Sequence, residues 1–299
     1  MVALSKDNRI AFIGLGMMGY PMAGRLSAAG YHLAIFDVNS DTSKRFAGEF
    51  TCKVCSSAVQ AAQDADIVIT MLPDSDDVFT SVLGGKSLPG AVSVLSPGAT
   101  IIDMSSSDPL RSRELAEILA EHHITVVDAP VSGGVKRANQ GTLTIMFGGS
   151  EDSLQRCKAI LDVIGSSIYH TGDVGTGHAM KALNNYVSAA SLVATVEALH
   201  TGKKFGLDQS VITQVLNSST GKNNTSENKV MQFMLSGTFD SGFALHLMTK
   251  DITTAIHLAE NLQIPARLGH ACLDIWRDAA IHSEKEADHT EMYRILDQE

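Results

Sequence analysis

The sequence predicts an α/β domain built on a mostly parallel sheet, followed by an all-α domain, with one long helix joining the two. Three observations predict it. Apolar, β-branched runs alternate with helix-periodic segments through the N-terminal half. The first of these runs ends in a glycine turn. Past Gly177 the alternation stops and helical periodicity alone continues. The expected division places residues 1–174 in the first domain and 175–299 in the second.

The strands are read in RIAFIGLG, HLAIFD, DIVITML, TIIDMS, ITVVDAP, GTLTIMFGG and SSIYHTG. Short runs of this kind, bounded by Gly, Asp and Pro, fit strands buried on both faces. PLRSRELAEILAEHH and SLQRCKAILDVIG carry apolar residues at helical spacing. No convincing helix separates DAPVSGG from GTLTIMFGG, so the sheet is expected to end in an irregular or antiparallel part. A helix then runs from His178 to Phe205, with Lys203 and Lys204 in its last turn and Gly206 as its stop. At 1.5 Å per residue it would be about 40 Å long. QSVITQVLNSS, a segment around MQFMLSG, LMTKDITTAIHLAENL and ARLGHACLDIWRDAAIHS complete a helical second half.

Composition narrows the function. The chain has 299 residues, 44% hydrophobic and 19% charged, as a well-cored globular protein does. A formal charge of −10 with no basic run argues against nucleic acid as a partner. No window is apolar enough to span a bilayer, so no membrane role is expected. MVALSKDNRIAFIGLG lacks a basic start and cleavage site, and its apolar run leads into the glycine turn. Of four cysteines, Cys52 and Cys55 form a CxxC, but no second pair or nearby His pair completes a metal set. Small side chains on a strand and its edge are the expected reading, and no metal is expected. Low cysteine use points to a reducing cytoplasm.

The glycine turn is GLGMMG, with Gly14, Gly16 and Gly19 in G-x-G-x-x-G spacing around Leu15, Met17 and Met18. It follows a strand, opens a helix, and precedes a strand ending in Asp37, 18 residues after Gly19. Each part has a physical task in dinucleotide binding. Gly14 allows the tight turn, Gly16 lets backbone approach a pyrophosphate at the helix N-terminus, and Gly19 lets helix pack on sheet. Asp37 can accept hydrogen bonds from the adenosine ribose hydroxyls. A carboxylate there repels a 2′-phosphate, and Val38, Asn39 and Ser40 follow rather than an arginine, so NAD is expected over NADP.

GTGHAMKALNN opens the long helix. Lys181 and Asn185 are four apart and share a helix face. No charged residue occurs from Ala182 to Val196, which suggests a largely buried helix. A lysine at the mouth of such a segment is a candidate general acid or base. It equally fits a lysine that snorkels to solvent, although the helix dipole disfavours a cation near an N-terminus.

GLGMMGYPMA, DAPVSGG, GTGHAMKALNN and KDITTA, in this order and at these separations, resemble the β-hydroxyacid dehydrogenases. That superfamily includes 3-hydroxyisobutyrate dehydrogenase, tartronate semialdehyde reductase, threonate dehydrogenase and 2-(hydroxymethyl)glutarate dehydrogenase. The resemblance spans about residues 9 to 295. It implies a Rossmann-like first domain, Lys181 as general acid/base on the substrate hydroxyl, and Asn185 as an orienting group. It implies that Ser132, Gly133 and Gly134 hold the substrate carboxylate, and that Lys250 lies near nicotinamide and substrate. Leu72, Pro73 and Ser106 match positions beside the cofactor, as Asp77 does more weakly. It also implies a homodimer or homotetramer.

Two departures bear on the substrate. Asn224, beside Lys222 and Asn223, stands where relatives often carry an aromatic residue. His246 stands where many carry an acid. Both fit a substrate with a polar or second anionic group, and equally fit side chains that face solvent or cap helices. Other readings stay open: a decarboxylating enzyme of the 6-phosphogluconate type, an NADPH-dependent glyoxylate or succinic semialdehyde reductase, and a non-catalytic NAD-binding module. The short helical half argues against the first, Asp37 against the second and Lys181 against the third.

Overall fold

A computed structural model describes residues 4–85 and 88–297. The chain divides into two compact units, Met1–Lys181 and Ala182–Glu299.

The first unit is a Rossmann-like α/β layer structure. Its strands are β1 (Arg9–Ile13), β2 (His32–Phe36), β3 (Lys53–Val54), β4 (Ile67–Thr70), β5 (Gly84–Gly85), β6 (Leu88–Pro89), β7 (Thr100–Asp103), β8 (Thr125–Asp128), β9 (Val131–Ser132), β10 (Leu143–Gly148) and β11 (Gly165–Gly172). The main sheet runs β11-β10-β8-β7-β4-β1-β2-β3, with β9 paired to β10 and β5–β6 a separate ribbon. From β8 to β3 every pairing is parallel; Ile10 lies opposite both Leu33 and Ile67. The antiparallel part expected after DAPVSGG is present, since β10 runs against β8 and β9.

Strand alternation builds two cores, one on each face. Ile10, Phe12, Ile67 and Ile69 point into one; Ala11, Ile13 and Val68 point into the other. Covering them are α1 (Gly19–Ala28), α2 (Ser40–Glu49), α3 (Ala58–Ala62), α4 (Ser75–Leu83), α5 (Pro109–Ala120), α6 (Gly134–Gln140) and α7 (Glu151–Ile164). Five of these start on a side-chain cap at Asn39, Ser57, Asp74, Asp108 or Ser150, each taking an otherwise unpaired N–H of the first turn. Helix α6 corrects the sequence reading, which found no helix between DAPVSGG and GTLTIMFGG. GVKRANQ buries only Ala138, so it has no apolar stripe to read. The CxxC cysteines flank β3 as free thiols, and burial pushes both thiols above their ordinary range.

Helix α8 (Thr176–Phe205) has 30 residues, a length of about 45 Å. The chain division falls within it. Gly206 follows with φ +103°, a conformation suited to a glycine helix stop. The second unit adds α9 (Gln209–Ser218), α10 (Asn224–Asn228), α11 (Leu245–Asn261), α12 (Arg267–Ile281) and α13 (Met292–Ile295). The MQFM segment is a π-helical turn, Val230–Met234. Ala189, Leu192, Val196 and Leu199 of α8 pack with Met248, Ile252, Ile256, Leu273 and Trp276. The expectation that α8 is largely buried needs correction: Leu183 is 42% and Val187 60% exposed. A charge-free run buries the face that has partners and leaves the other apolar face open. No helix among the described residues is long and apolar enough to cross a membrane.

A polar knot ties the second unit together. Asp288 accepts hydrogen bonds from Ser241 Oγ, the Gly242 N–H and Thr290. Beside it, His289 Nδ1 lies 2.9 Å from the Phe243 carbonyl. Burial, helped by the nearby Lys229 charge, pushes His289 down to about 4. The unfolded chain therefore takes up a proton below about pH 6.5 that the folded chain refuses until about pH 4. The stability this histidine contributes is whole above that window and is lost as pH falls through it. Thermal melts at pH 7.5 and 5.0 should show a fall in Tm that is smaller in His289→Gln than in the unmodified protein.

Candidate active site

The glycine turn is set by contacts that exclude side chains. Gly14 has φ +96°, and a Cβ there would lie 2.3 Å from the Met71 carbonyl oxygen. A Cβ on Gly19 would lie 2.0 Å from the Gly14 carbonyl oxygen, so helix and turn meet backbone to backbone. Gly16 differs: it is exposed, and its Cβ position has nothing within 4 Å. That open face is what backbone approach to a pyrophosphate requires. Met17 beside it is 67% exposed, Met18 half-buried and Leu15 buried.

Asp37 is tied to the same turn. Its Oδ2 accepts from the Leu15 N–H at 2.6 Å and its Oδ1 from the Asn39 N–H at 2.8 Å. Two oxygens offer about four lone pairs, so acceptor capacity remains for ribose hydroxyls. The cofactor residues fit a dinucleotide on this geometry.

The next loops rest on a buried carboxylate. Asp103, at the end of β7, accepts from Thr70 Oγ1 (2.9 Å), the Ser105 N–H (3.0 Å) and Ser107 Oγ (2.7 Å). Ser105 Oγ in turn accepts the Leu72 N–H at 2.9 Å. One network thereby fixes Leu72, with Pro73 after it, and the chain around Ser106. Asp77 stands in the first turn of α4, its N–H taken by the Asp74 cap.

Asp128 does the same for the start of α8. Fully buried at the end of β8, it accepts from the Gly175 N–H at 2.7 Å and the His178 N–H at 2.8 Å. Gly148 and Gly177 make room for it: Cβ atoms there would lie 2.3 Å and 2.8 Å from its carboxylate oxygens. Burial pushes the Asp128 carboxyl up, against the pull of His178 and the two N–H groups. His178 is buried beside it, with Nδ1 2.7 Å from Ser112 Oγ.

Lys181 lies one turn further along α8. Its Nζ donates to the Val131 carbonyl oxygen at 2.8 Å. Val131 leads directly into Ser132, Gly133 (φ +133°) and Gly134 (φ +66°). The amine and the glycine turn are thus brought together within the first unit. Successive positive φ values expose backbone N–H groups as an anion-binding concavity can.

In the second unit Asn185 Nδ2 donates to Asp251 Oδ2 at 2.6 Å, and Asp251 is buried. Lys250 precedes that aspartate on α11 and is half-buried. Lys222 is exposed and pairs with Glu227 at 2.7 Å. Asn224 is the exposed first residue of α10, and His246 is exposed on the first turn of α11. The structure gives these three no bond to Asn185. The sequence reading passed over Asp103, Asp128, His178 and Asp251. Three stood in marked motifs: Asp128 heads DAPVSGG, His178 lies in GTGHAMKALNN and Asp251 completes KD. No group of three or more potential metal-binding side chains occurs among the described residues.

Comparison with known proteins agrees with this geometry. Residues 9–172 match the family model described as the NAD binding domain of 6-phosphogluconate dehydrogenase. Residues 175–296 match the model described as the NAD-binding domain of NADP-dependent 3-hydroxyisobutyrate dehydrogenase. The chain is 37% identical to human mitochondrial 3-hydroxyisobutyrate dehydrogenase over 305 aligned positions, covering 99% of this chain and 89% of the human one. It is 37% identical to 2-(hydroxymethyl)glutarate dehydrogenase of Eubacterium barkeri, covering 88% and 86%. Among solved structures, the Mycobacterium tuberculosis 3-hydroxyisobutyrate dehydrogenase with L-serine superposes with a TM-score of 0.88 at 31% identity, covering 97% and 99%.

The Asp128 junction yields a direct test. A Cβ on Gly177 would also lie 2.3 Å from the Met146 carbonyl oxygen, and backbone cannot yield cheaply. Gly177→Ala should destabilise the first unit by about 1–3 kcal/mol. A thermal melt should register this as a lower Tm; an unchanged Tm would mean the junction is loose.

Proposed function

The chain belongs to the 3-hydroxyisobutyrate dehydrogenase family of the β-hydroxyacid dehydrogenases, and on that footing we propose that it oxidises the hydroxyl of a small β-hydroxyacid with NAD, Lys181 being the general acid/base. One observation carries the proposal: the Lys181 amine is held on the Val131 carbonyl, next to Ser132, Gly133 and Gly134. On this reading residues 1–174 are the cofactor-binding domain and 175–299 the substrate and oligomerisation domain.

The chemistry divides simply. Gly14–Gly19, Asp37, Leu72, Pro73, Asp77, Ser106 and Lys250 would hold the dinucleotide, whose nicotinamide would supply a two-electron hydride acceptor. Ser132, Gly133 and Gly134 anchor the substrate carboxylate through backbone N–H groups and the Ser132 hydroxyl. Lys181 in its neutral form takes the hydroxyl proton as the carbonyl product forms; in the reverse direction its ammonium returns that proton. Val131 takes one N–H and so points the nitrogen. Asn185, oriented by Asp251, receives the substrate's polar edge. The oxygen charge that develops is met by the lysine.

Asp37 favours NAD, because its carboxylate would repel a 2′-phosphate. The model matching the helical half is described for an NADP-dependent enzyme, which makes the cofactor choice worth measuring directly. Lys222, Asn224 and His246 favour a substrate with a polar or second anionic group over one with a plain methyl. The likeness to a dehydrogenase acting on 2-(hydroxymethyl)glutarate supports the same direction.

Two measurements follow. NADH formation at alkaline pH across a panel of β-hydroxyacids should identify a substrate, and Lys181→Ala should lower kcat on it by about 10²–10⁴-fold while NAD still binds. Full activity in that variant would remove Lys181 from the mechanism. Asp37→Ser should shift the NAD-to-NADP ratio of kcat/KM toward NADP by roughly tenfold, the effect of one lost charge-assisted contact. An unmoved ratio would assign the choice elsewhere.

A further inference from the structure

The turn that follows Val131 carries an unusual charge. In a chain of net charge −10, the stretch Ser132–Gly141 holds Lys136 and Arg137 and no acid. Arg137 sits on α6 one turn after Gly133 and Gly134. A helical side chain leans back toward the N-terminus of its helix, which for Arg137 means over the glycine turn. The contacts agree. A Cβ on Gly133 would lie 2.6 Å from Arg137 Cδ, 3.0 Å from its Cβ and 3.2 Å from its Cγ. The arginine stem thus lies along the face of Gly133 where a side chain would otherwise be.

The head group is not committed elsewhere. Arg137 is exposed, and no ion pair to it occurs among the described residues. Arg9, Arg111 and Arg294, by contrast, each pair with a carboxylate. An arginine with its stem packed on an anion-binding turn and its guanidinium open is built as a fork for a second anion. A lysine in its place would offer a point charge without the planar, two-pronged geometry.

We infer that Arg137 is a specificity-determining residue whose guanidinium binds a second carboxylate of the substrate, making this a site for dicarboxylic β-hydroxyacids. The inference rests on the proposed function, because it takes Ser132–Gly134 as the seat of the first carboxylate. It names the substrate class and places the recognition of its second carboxylate on α6.

The test compares two substrates that differ by one carboxymethyl group, 2-(hydroxymethyl)glutarate and 3-hydroxyisobutyrate. The unmodified enzyme should prefer the dicarboxylate in kcat/KM. Arg137→Ala should lower that preference roughly tenfold or more, mainly through KM for the dicarboxylate. Lys136→Ala removes the same charge one residue away and should leave the preference unmoved, which separates local recognition from long-range attraction. An unmoved preference in Arg137→Ala overturns the inference while the dehydrogenase reading stands. So does a rise in KM for NAD in place of the lost preference, since that would assign the guanidinium to a cofactor phosphate. A binding arm covers the case of no turnover. Calorimetric titration of the NADH complex with 2-methylglutarate and with isobutyrate, the non-reacting counterparts, should show Arg137-dependent preference for the former. That result without turnover would keep the Arg137 site and retire the dehydrogenase reading; equal binding of the two compounds would overturn the site itself.

Discussion

The buried carboxylate of Asp128 is the contact on which the placement of Lys181 depends. Its two oxygens hold the Gly175 and His178 N–H groups, so the first turn of α8 is fastened to the end of β8. The chain beyond β8 supplies Val131, whose carbonyl then fastens the lysine itself. Strand, turn and helix form a closed figure with the amine at one corner. Helix dipoles disfavour a cation near an N-terminus, and a carboxylate at the same end offsets that field. Burying the carboxylate costs its hydration, and the two N–H bonds repay part of it. Glycine at 148 and 177 is the steric condition, since either Cβ would strike the carboxylate.

The same device recurs along the sheet. Asp37 follows β2, Asp103 ends β7 and Asp128 ends β8, so each stands at the carboxyl end of a parallel strand. Asp37 and Asp103 accept backbone N–H groups from the loop that continues their own strand or a neighbouring one, and Asp128 accepts one from the turn after β11, two strands across the sheet. The carboxyl edge of an open α/β sheet is where ligands bind, because the loops there are freed from the sheet's own hydrogen bonding. Those loops need other partners for their N–H groups. Here carboxylates provide them at the Gly14–Gly19 turn, the chain after β7 and the start of α8, and the Ser105 hydroxyl provides one at Leu72.

Legibility in the sequence followed the range of the interactions. Six strands were readable as short apolar runs and SSIYHTG by its place between a helix and a glycine turn, and α5, α7, α11 and α12 because their apolar residues recur at helical spacing. Helix α6 was not, since one buried alanine makes no pattern. The exposed Leu183 and Val187 were not, since a charge-free run does not say how many of its faces find partners. The glycine turn, Asp37 and Lys181 stood out because local motifs mark them. Asp128 escaped notice inside a quoted motif: its partners lie 47 and 50 residues away, and only the fold brings them near. The exposure of Lys222, Asn224 and His246 was likewise a matter of packing, which residue type does not encode.

The orientation of Asn185 follows from the same logic. An amide can present either its N–H groups or its oxygen to a ligand, and nothing in the side chain itself chooses. Asp251, when ionised, offers only acceptors. It therefore takes Nδ2 of Asn185, at 2.6 Å, and the amide cannot flip without setting oxygen against oxygen. Asn184 Nδ2 donates to the oxygen at 3.0 Å, reinforcing that choice. What remains is a fixed amide with an acceptor lone pair and one N–H, four residues along α8 from the lysine. Such a group can receive a donor from a hydroxyl and give one to an oxygen without moving. In the proposed function, Asp251 would act on a substrate it need not touch, by deciding which atoms of Asn185 are left to face it.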